Sequence, residues 1–179
     1  GVMLHTARVH GPVLYFDENG SVGRKKRSWV FGYPRSGSSR YELASSENSA
    51  VPQRWVHIAG VWDGQTARLF VDGKPVSSKG AQPSPWPQMF DVYLGKHYGK
   101  EHPGLSFNGL LDEIRISKVA RYTKNFTPEK RFTPDKNTLA LYHFDEGSGD
   151  VLKDSSGNGH HGKIHGAAWV NADGSVTKP

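Results

Sequence analysis

Residues Trp55 to Gly73 read W-V-H-I-A-G-V-W-D-G-Q-T-A-R-L-F-V-D-G, and this stretch decides the fold. In its first half Val56, Ile58 and Gly60 alternate with Trp55, His57, Ala59 and Val61, so successive side chains fall on opposite faces of a strand. In its second half Ala67, Leu69 and Val71 face one way and Thr66, Arg68 and Phe70 the other. Between them Asp63-Gly64 tolerates the positive φ that a hairpin turn demands. Asp72-Gly73 repeats the signal and predicts a third strand from Lys74 to Ser78. The two tryptophans, Trp55 and Trp62, are expected in the core or covering a sheet.

The rest of the composition suits the same architecture. A chain of 179 residues is long enough to bury a core as one domain. Its 21 Gly and 11 Pro supply many reversals, which fits short strands and not a helical bundle. No run approaches the roughly 20 apolar residues of a membrane helix. The absence of Cys removes disulfides and thiolate metal sites, and is compatible with the cytoplasm, the periplasm or a bacterial cell surface. Net charge is +6, with the densest cluster at Arg24-Lys25-Lys26-Arg27. A single basic patch without interleaved aromatics reads as a solvated loop and weighs against nucleic acid.

Strands are also predicted within Val2–Val9, over Val13–Phe16, over Trp29–Phe31 (stopped by Gly32 and Pro34), at Tyr41–Leu43, over Phe90–Leu94 and over Leu110–Ile116. Others are predicted over Leu139–Phe144 and near Ala167–Val170. Ser117–Arg121 is the only stretch with helical potential. Ala81–Pro87, with prolines around Trp86, and Lys96–Ser106 read as long surface loops, the kind that carries binding. Ten or more short strands separated by turns predict an all-β, antiparallel two-sheet sandwich or jelly roll.

Three segments, W-V-H-I-A-G-V-W-D-G, R-L-F-V-D-G-K and F-N-G-L-L-D-E-I-R-I-S, together resemble the laminin-G-like (LamG) domains of the concanavalin A-like lectin/glucanase superfamily. A further match is A-L-Y-H-F-D-E-G-S-G-D-V-L-K-D-S-S-G-N-G-H-H-G-K-I, residues 140–164. In most family members this motif opens the domain, whereas here it comes last. The resemblance therefore implies either a circular permutation or the beginning of a second copy. The permuted reading is preferred, because pairing with the preceding strands would bury Leu141, Phe144, Ile164 and Trp169. It makes residues 1–179 a single LamG-like domain in which 137–171 supply the usual opening strand and loop, with the strands that normally follow lying before Gly1.

Catalysis finds little support in the residues. Glucanases of the superfamily carry an E-x-D-x-x-E pattern that sets acids on one face, and glycoside hydrolysis needs two carboxylates flanking the bond. Here Asp112-Glu113 and Asp145-Glu146 are adjacent pairs that diverge on a strand. Neither G-x-S-x-G nor H-E-x-x-H occurs. His160-His161 diverge in the same way, which argues against zinc.

Calcium has a better case. Asp154-Ser155-Ser156-Gly157-Asn158-Gly159 offers a carboxylate, hydroxyls, an amide and glycines that let carbonyls turn inward. The family resemblance implies Asp112 as a partner of Asp154 and Asn158 around a structural calcium ion. The competing reading has Asp154 and Asn158 making Asx-type turns while Asp112 accepts backbone hydrogen bonds. For ligand binding, an aromatic platform with planar polar groups is available from Trp86, His97, Tyr98 and His102 in the long loops, with Arg35 and Tyr41. The sequence thus predicts a non-catalytic recognition module of a larger extracellular, cell-surface or periplasmic protein. Its expected partner is a polysaccharide or glycoconjugate, the alternative being another protein domain.

Overall fold

The computed structural model describes residues 2–6, 11–17, 27–34, 41–46, 53–80, 91–97 and 106–175. Among them are twelve strands and no helix: β1 Val2–Thr6, β2 Val13–Asp17, β3 Ser28–Pro34, β4 Tyr41–Ser45, β5 Ile58–Trp62, β6 Thr66–Val71, β7 Lys74–Gly80, β8 Val92–Leu94, β9 Ile114–Ser117, β10 Thr138–Tyr142, β11 Val151–Leu152 and β12 Gly162–Lys163. Every ladder between them is antiparallel. The chain divides into two compact units, residues 1–108 with 122–128 and residues 109–121 with 129–179.

In the first unit a five-stranded sheet, ordered β4-β3-β2-β1-β8, faces a three-stranded sheet, ordered β5-β6-β7. The shared core joins Trp29 and Phe31 of β3 to Ala67, Leu69 and Val71 of β6, with Met3, Leu14, Phe16, Ile58 and Trp62 packed around them. That is the β-sandwich the alternation predicts. Each large apolar side chain so buried contributes about 1.5–3 kcal/mol. Packing at the centre depends on Gly60, because a Cβ there would lie 2.2 Å from Phe31 Cδ2. The β5–β6 turn is held by Asp63, whose Oδ1 accepts the Gln65 and Thr66 N–H groups at 3.0 and 2.8 Å. Its carboxyl sits at about 2, lowered first by its bond from the Arg68 guanidinium and then by those two backbone donors.

Several boundaries differ from expectation. β3 runs through Gly32 to Pro34 because β4 pairs along its length, Gly32 opposite Leu43 and Pro34 opposite Tyr41. Residues 55–57 precede β5, and Trp55 is half exposed, whereas Trp62 packs on the core as predicted. Phe70, on the face of β6 opposite Leu69, is also fully buried because an aromatic cluster covers it. β7 continues to Gly80, two residues beyond the predicted end.

In the second unit β9 pairs with β10 and β11 with β12. The predicted strand from Leu110 begins only at Ile114, since Glu113 adopts φ 50°, which breaks the pleat before it. β10 ends at Tyr142, ahead of Phe144 with φ 60°. Ser117–Arg121 is not helical; instead Arg121 grips Asp135 through two bonds of 3.0 and 2.6 Å and donates to Ser117 Oγ at 2.6 Å. The last predicted strand reduces to a single bridge residue, Val170. Leu141 is fully buried, and Phe144, Ile164 and Trp169 are half-buried.

Candidate functional site

The first unit carries an open groove of about 390 Å³ lined by Asp72, Lys74, Asn125, Phe126, Thr127 and Pro128. Its floor forms where the turn after β6 meets the segment 125–128. Gly73 has φ 74°, and a Cβ there would fall 1.9 Å from the Phe126 carbonyl oxygen, so only glycine admits this approach. Phe126 N–H donates to Gly73 O at 3.0 Å and closes the junction. The Phe126 ring stacks on Tyr122, centroids 3.6 Å apart, and meets His57 and Phe70 edge-on at 5.5 and 5.6 Å. Asp72 is fixed in turn, accepting from His57 N–H at 3.0 Å and from Arg54 Nη2 at 2.8 Å. Lys74, Asn125 and Thr127 are exposed. A carboxylate, an ammonium, an amide and a hydroxyl thus surround an apolar edge of Phe and Pro, the donor and acceptor set that polyhydroxylated ligands need.

The loop carrying the expected calcium ligands lies in the second unit and is built around Asp154, which is buried at 8 % exposure. Its Oδ1 accepts Leu141 N–H and Ser156 N–H, both at 2.9 Å. Oδ2 accepts Ser156 Oγ–H at 2.7 Å and His160 N–H at 2.9 Å. Burial pushes the carboxyl up, but these hydrogen bonds outweigh it and hold it at about 2. Asn158 Nδ2 reaches Thr138 O at 3.0 Å, Leu139 O at 2.9 Å and Ser156 Oγ at 3.1 Å. Carbonyls only accept, so the amide must present its NH2 group there and not its oxygen. Tyr142 Oη donates to the His160 carbonyl at 2.7 Å, and Asp154 N–H to His161 Nδ1 at 3.0 Å.

These residues do not fit the calcium ion that the family resemblance implies. A carboxylate has about four lone-pair positions, and all four of Asp154's meet N–H or O–H donors. Asn158 turns donors, not an oxygen, toward the loop. Asp112 takes part in a separate set: its Oδ1 accepts Glu113 N–H at 2.9 Å, and its charged neighbours include Glu113, Asp145 and Arg131. Desolvation, followed by the charges of Glu113 and Asp145, pushes its carboxyl above the usual value. Among the described residues no three His, Asp or Glu side chains are grouped to hold a metal ion.

Beside Asp112, Glu113 ties three segments together. Its Oε2 accepts Phe132 N–H at 3.0 Å, and its Oε1 lies 2.8 Å from His143 Nδ1 and 3.5 Å from Arg131 Nη1. Arg131 also bonds Asp145 at 2.6 Å and holds that carboxyl below its usual range. Arg115 lies over the Phe132 ring at 4.1 Å.

Of the ligand-binding residues expected from sequence, Arg35, Trp86, Tyr98 and His102 lie outside the described residues. Tyr41 is on β4, the last strand in its sheet, opposite Pro34. His97 follows β8 and is half-buried. The groove escaped the sequence reading because its two halves are far apart in the chain. The available signals were V-D-G-K, read as a turn and as part of the family motif, and the proline after Phe126-Thr127.

Among the described residues no helix is long and apolar enough to cross a membrane. The model of the concanavalin A-like lectin/glucanases superfamily matches residues 9–125. The chain is also similar to mouse (Mus musculus) pappalysin-1, 24 % identical over 142 residues, which is 77 % of this chain and 8 % of the relative's length. Such kinship supports a binding-module role. With its antiparallel sandwich and this match over most of its length, the chain belongs to the concanavalin A-like lectin/glucanases superfamily.

Proposed function

We propose that the chain is a non-catalytic recognition module of a larger extracellular or cell-surface protein and binds saccharide along the Asp72–Lys74 and Asn125–Pro128 groove. The observation that carries this reading is the composition of the groove: exposed amide, hydroxyl and ammonium groups beside Phe126 and Pro128. Sugar rings present hydroxyls at their edges and C–H groups on their faces, so such a mixed lining matches both. Turn and aromatic cluster are fixed in advance, which lowers the ordering cost of binding. Pairing of β10 with β9 supports the companion reading of one LamG-like domain, with the 137–171 segment closing on the D-E-I-R-I-S motif.

A glycan array on the intact chain, followed by calorimetry on the best hit, tests the proposal. Asn125→Ala and Lys74→Ala should each weaken binding several-fold while leaving the thermal midpoint unchanged. Silence across polysaccharides, together with a stable protein partner on pull-down, would replace saccharide with a protein surface.

A further inference from the structure

We infer that the 154–161 loop is locked by its own hydrogen bonds in place of a calcium ion, so that this module folds and stays folded independently of calcium. Asp154 organises the loop by itself, with a polarity opposite to a cation's. A cation gathers oxygens, whereas this carboxylate gathers N–H and O–H donors from Leu141, Ser156 and His160. Those donors arrive from both ends of the loop and from the neighbouring strand β10, so one carboxylate ties the loop to the strand. Asn158 adds a second tie, its side-chain amide donating to the Thr138 and Leu139 carbonyls. Ser156 connects the two, donating to Asp154 Oδ2 and accepting from Asn158 N–H at 3.2 Å and Nδ2 at 3.1 Å. To bind an ion here, Asp154 would surrender its donors and Asn158 would turn its amide over.

Asn158→Asp separates the two accounts. Under the lock, the new carboxylate faces two carbonyl oxygens and loses the donor; under ion binding, it adds a negative ligand. The thermal midpoints of the intact wild-type chain in millimolar calcium chloride and in excess chelator should coincide. Asn158→Asp should melt about 5–10 °C lower, with or without calcium. A rise in the wild-type midpoint with calcium that disappears in Asn158→Ala would overturn the inference, since only a ligand of the native state raises stability. So would a calcium response that grows in Asn158→Asp, or an Asn158→Asp chain that folds only when calcium is added. Should Asn158→Asp fail to fold under any condition, Asn158→Ala serves in its place: a lowered, calcium-insensitive midpoint upholds the lock, and a calcium-restored one refutes it.

Discussion

Replacing Gly60 by alanine probes the sandwich at a point where its two sheets are in close contact. The added Cβ would lie 2.2, 2.5 and 2.6 Å from Cδ2, Cγ and Cε2 of Phe31. Carbon atoms pack at about 3.5–4.0 Å, so the ring or β5 must move by more than ~1 Å. Phe31 has little room to yield: it is buried at 7 % exposure, and its strand is paired on both sides, with Leu14 and Ala44 opposite it. Overpacking of this kind costs about 1–3 kcal/mol. Against it stands a gain of about 0.4–1 kcal/mol, because alanine restricts the unfolded chain and Gly60 has no positive φ to forbid it. The net expectation is a loss of ~1–2 kcal/mol and a thermal midpoint lower by roughly 3–8 °C. Urea titration and thermal melting measure this directly. The double variant G60A/F31L should be more stable than the two single losses imply, by ~1 kcal/mol, because leucine vacates the ring's space. A G60A protein as stable as wild type, or strict additivity with F31L, would refute the account of inter-sheet packing.

Other perturbations reach other parts of the molecule. Asp154 has a folded pKa of about 2 against an ordinary 3.8, so its contribution is complete above about pH 5 and is lost as pH falls toward 2. The shift corresponds to about 2 kcal/mol, and an Asp154→Asn variant should show a flatter stability–pH curve over that range. Leu69→Ala, at a fully buried position, should cost about 2–5 kcal/mol by denaturant titration. Glu113→Ala leaves the Phe132 N–H without its acceptor and should cost about 1–3 kcal/mol, while Glu113→Gln, which keeps an acceptor oxygen, should cost less.

The hairpin from Trp55 to Gly73 was readable from sequence because everything that specifies it is local: period-two alternation and two Asp-Gly turns. The same locality made β2, β3 and β10 recognisable, with errors at their ends. Those errors have a common physical source. Whether β3 passes through Gly32 and Pro34 depends on β4 lying beside it, and whether a strand starts at Leu110 or Ile114 depends on Glu113 being drawn to Phe132 and His143. That the Phe70 face of β6 is covered as well is hidden from local pattern, because Tyr122 and Phe126, which cover it, come much later in the chain.

What the sequence determined by itself was therefore the class of fold, the family and the residues able to organise the 154–161 loop. Composition and short-range pattern suffice for those, since strand periodicity and turn chemistry are properties of neighbouring residues. Tertiary structure alone decided how the loop's polar groups are paired and where a groove opens. An aspartate in D-S-S-G-N-G suits calcium or backbone donors equally; that the Leu141, Ser156 and His160 donors arrive at its two oxygens is a property of the tertiary structure alone. Likewise the groove exists because Gly73 lets the Phe126 backbone approach within hydrogen-bonding distance, a contact that sequence separation hides.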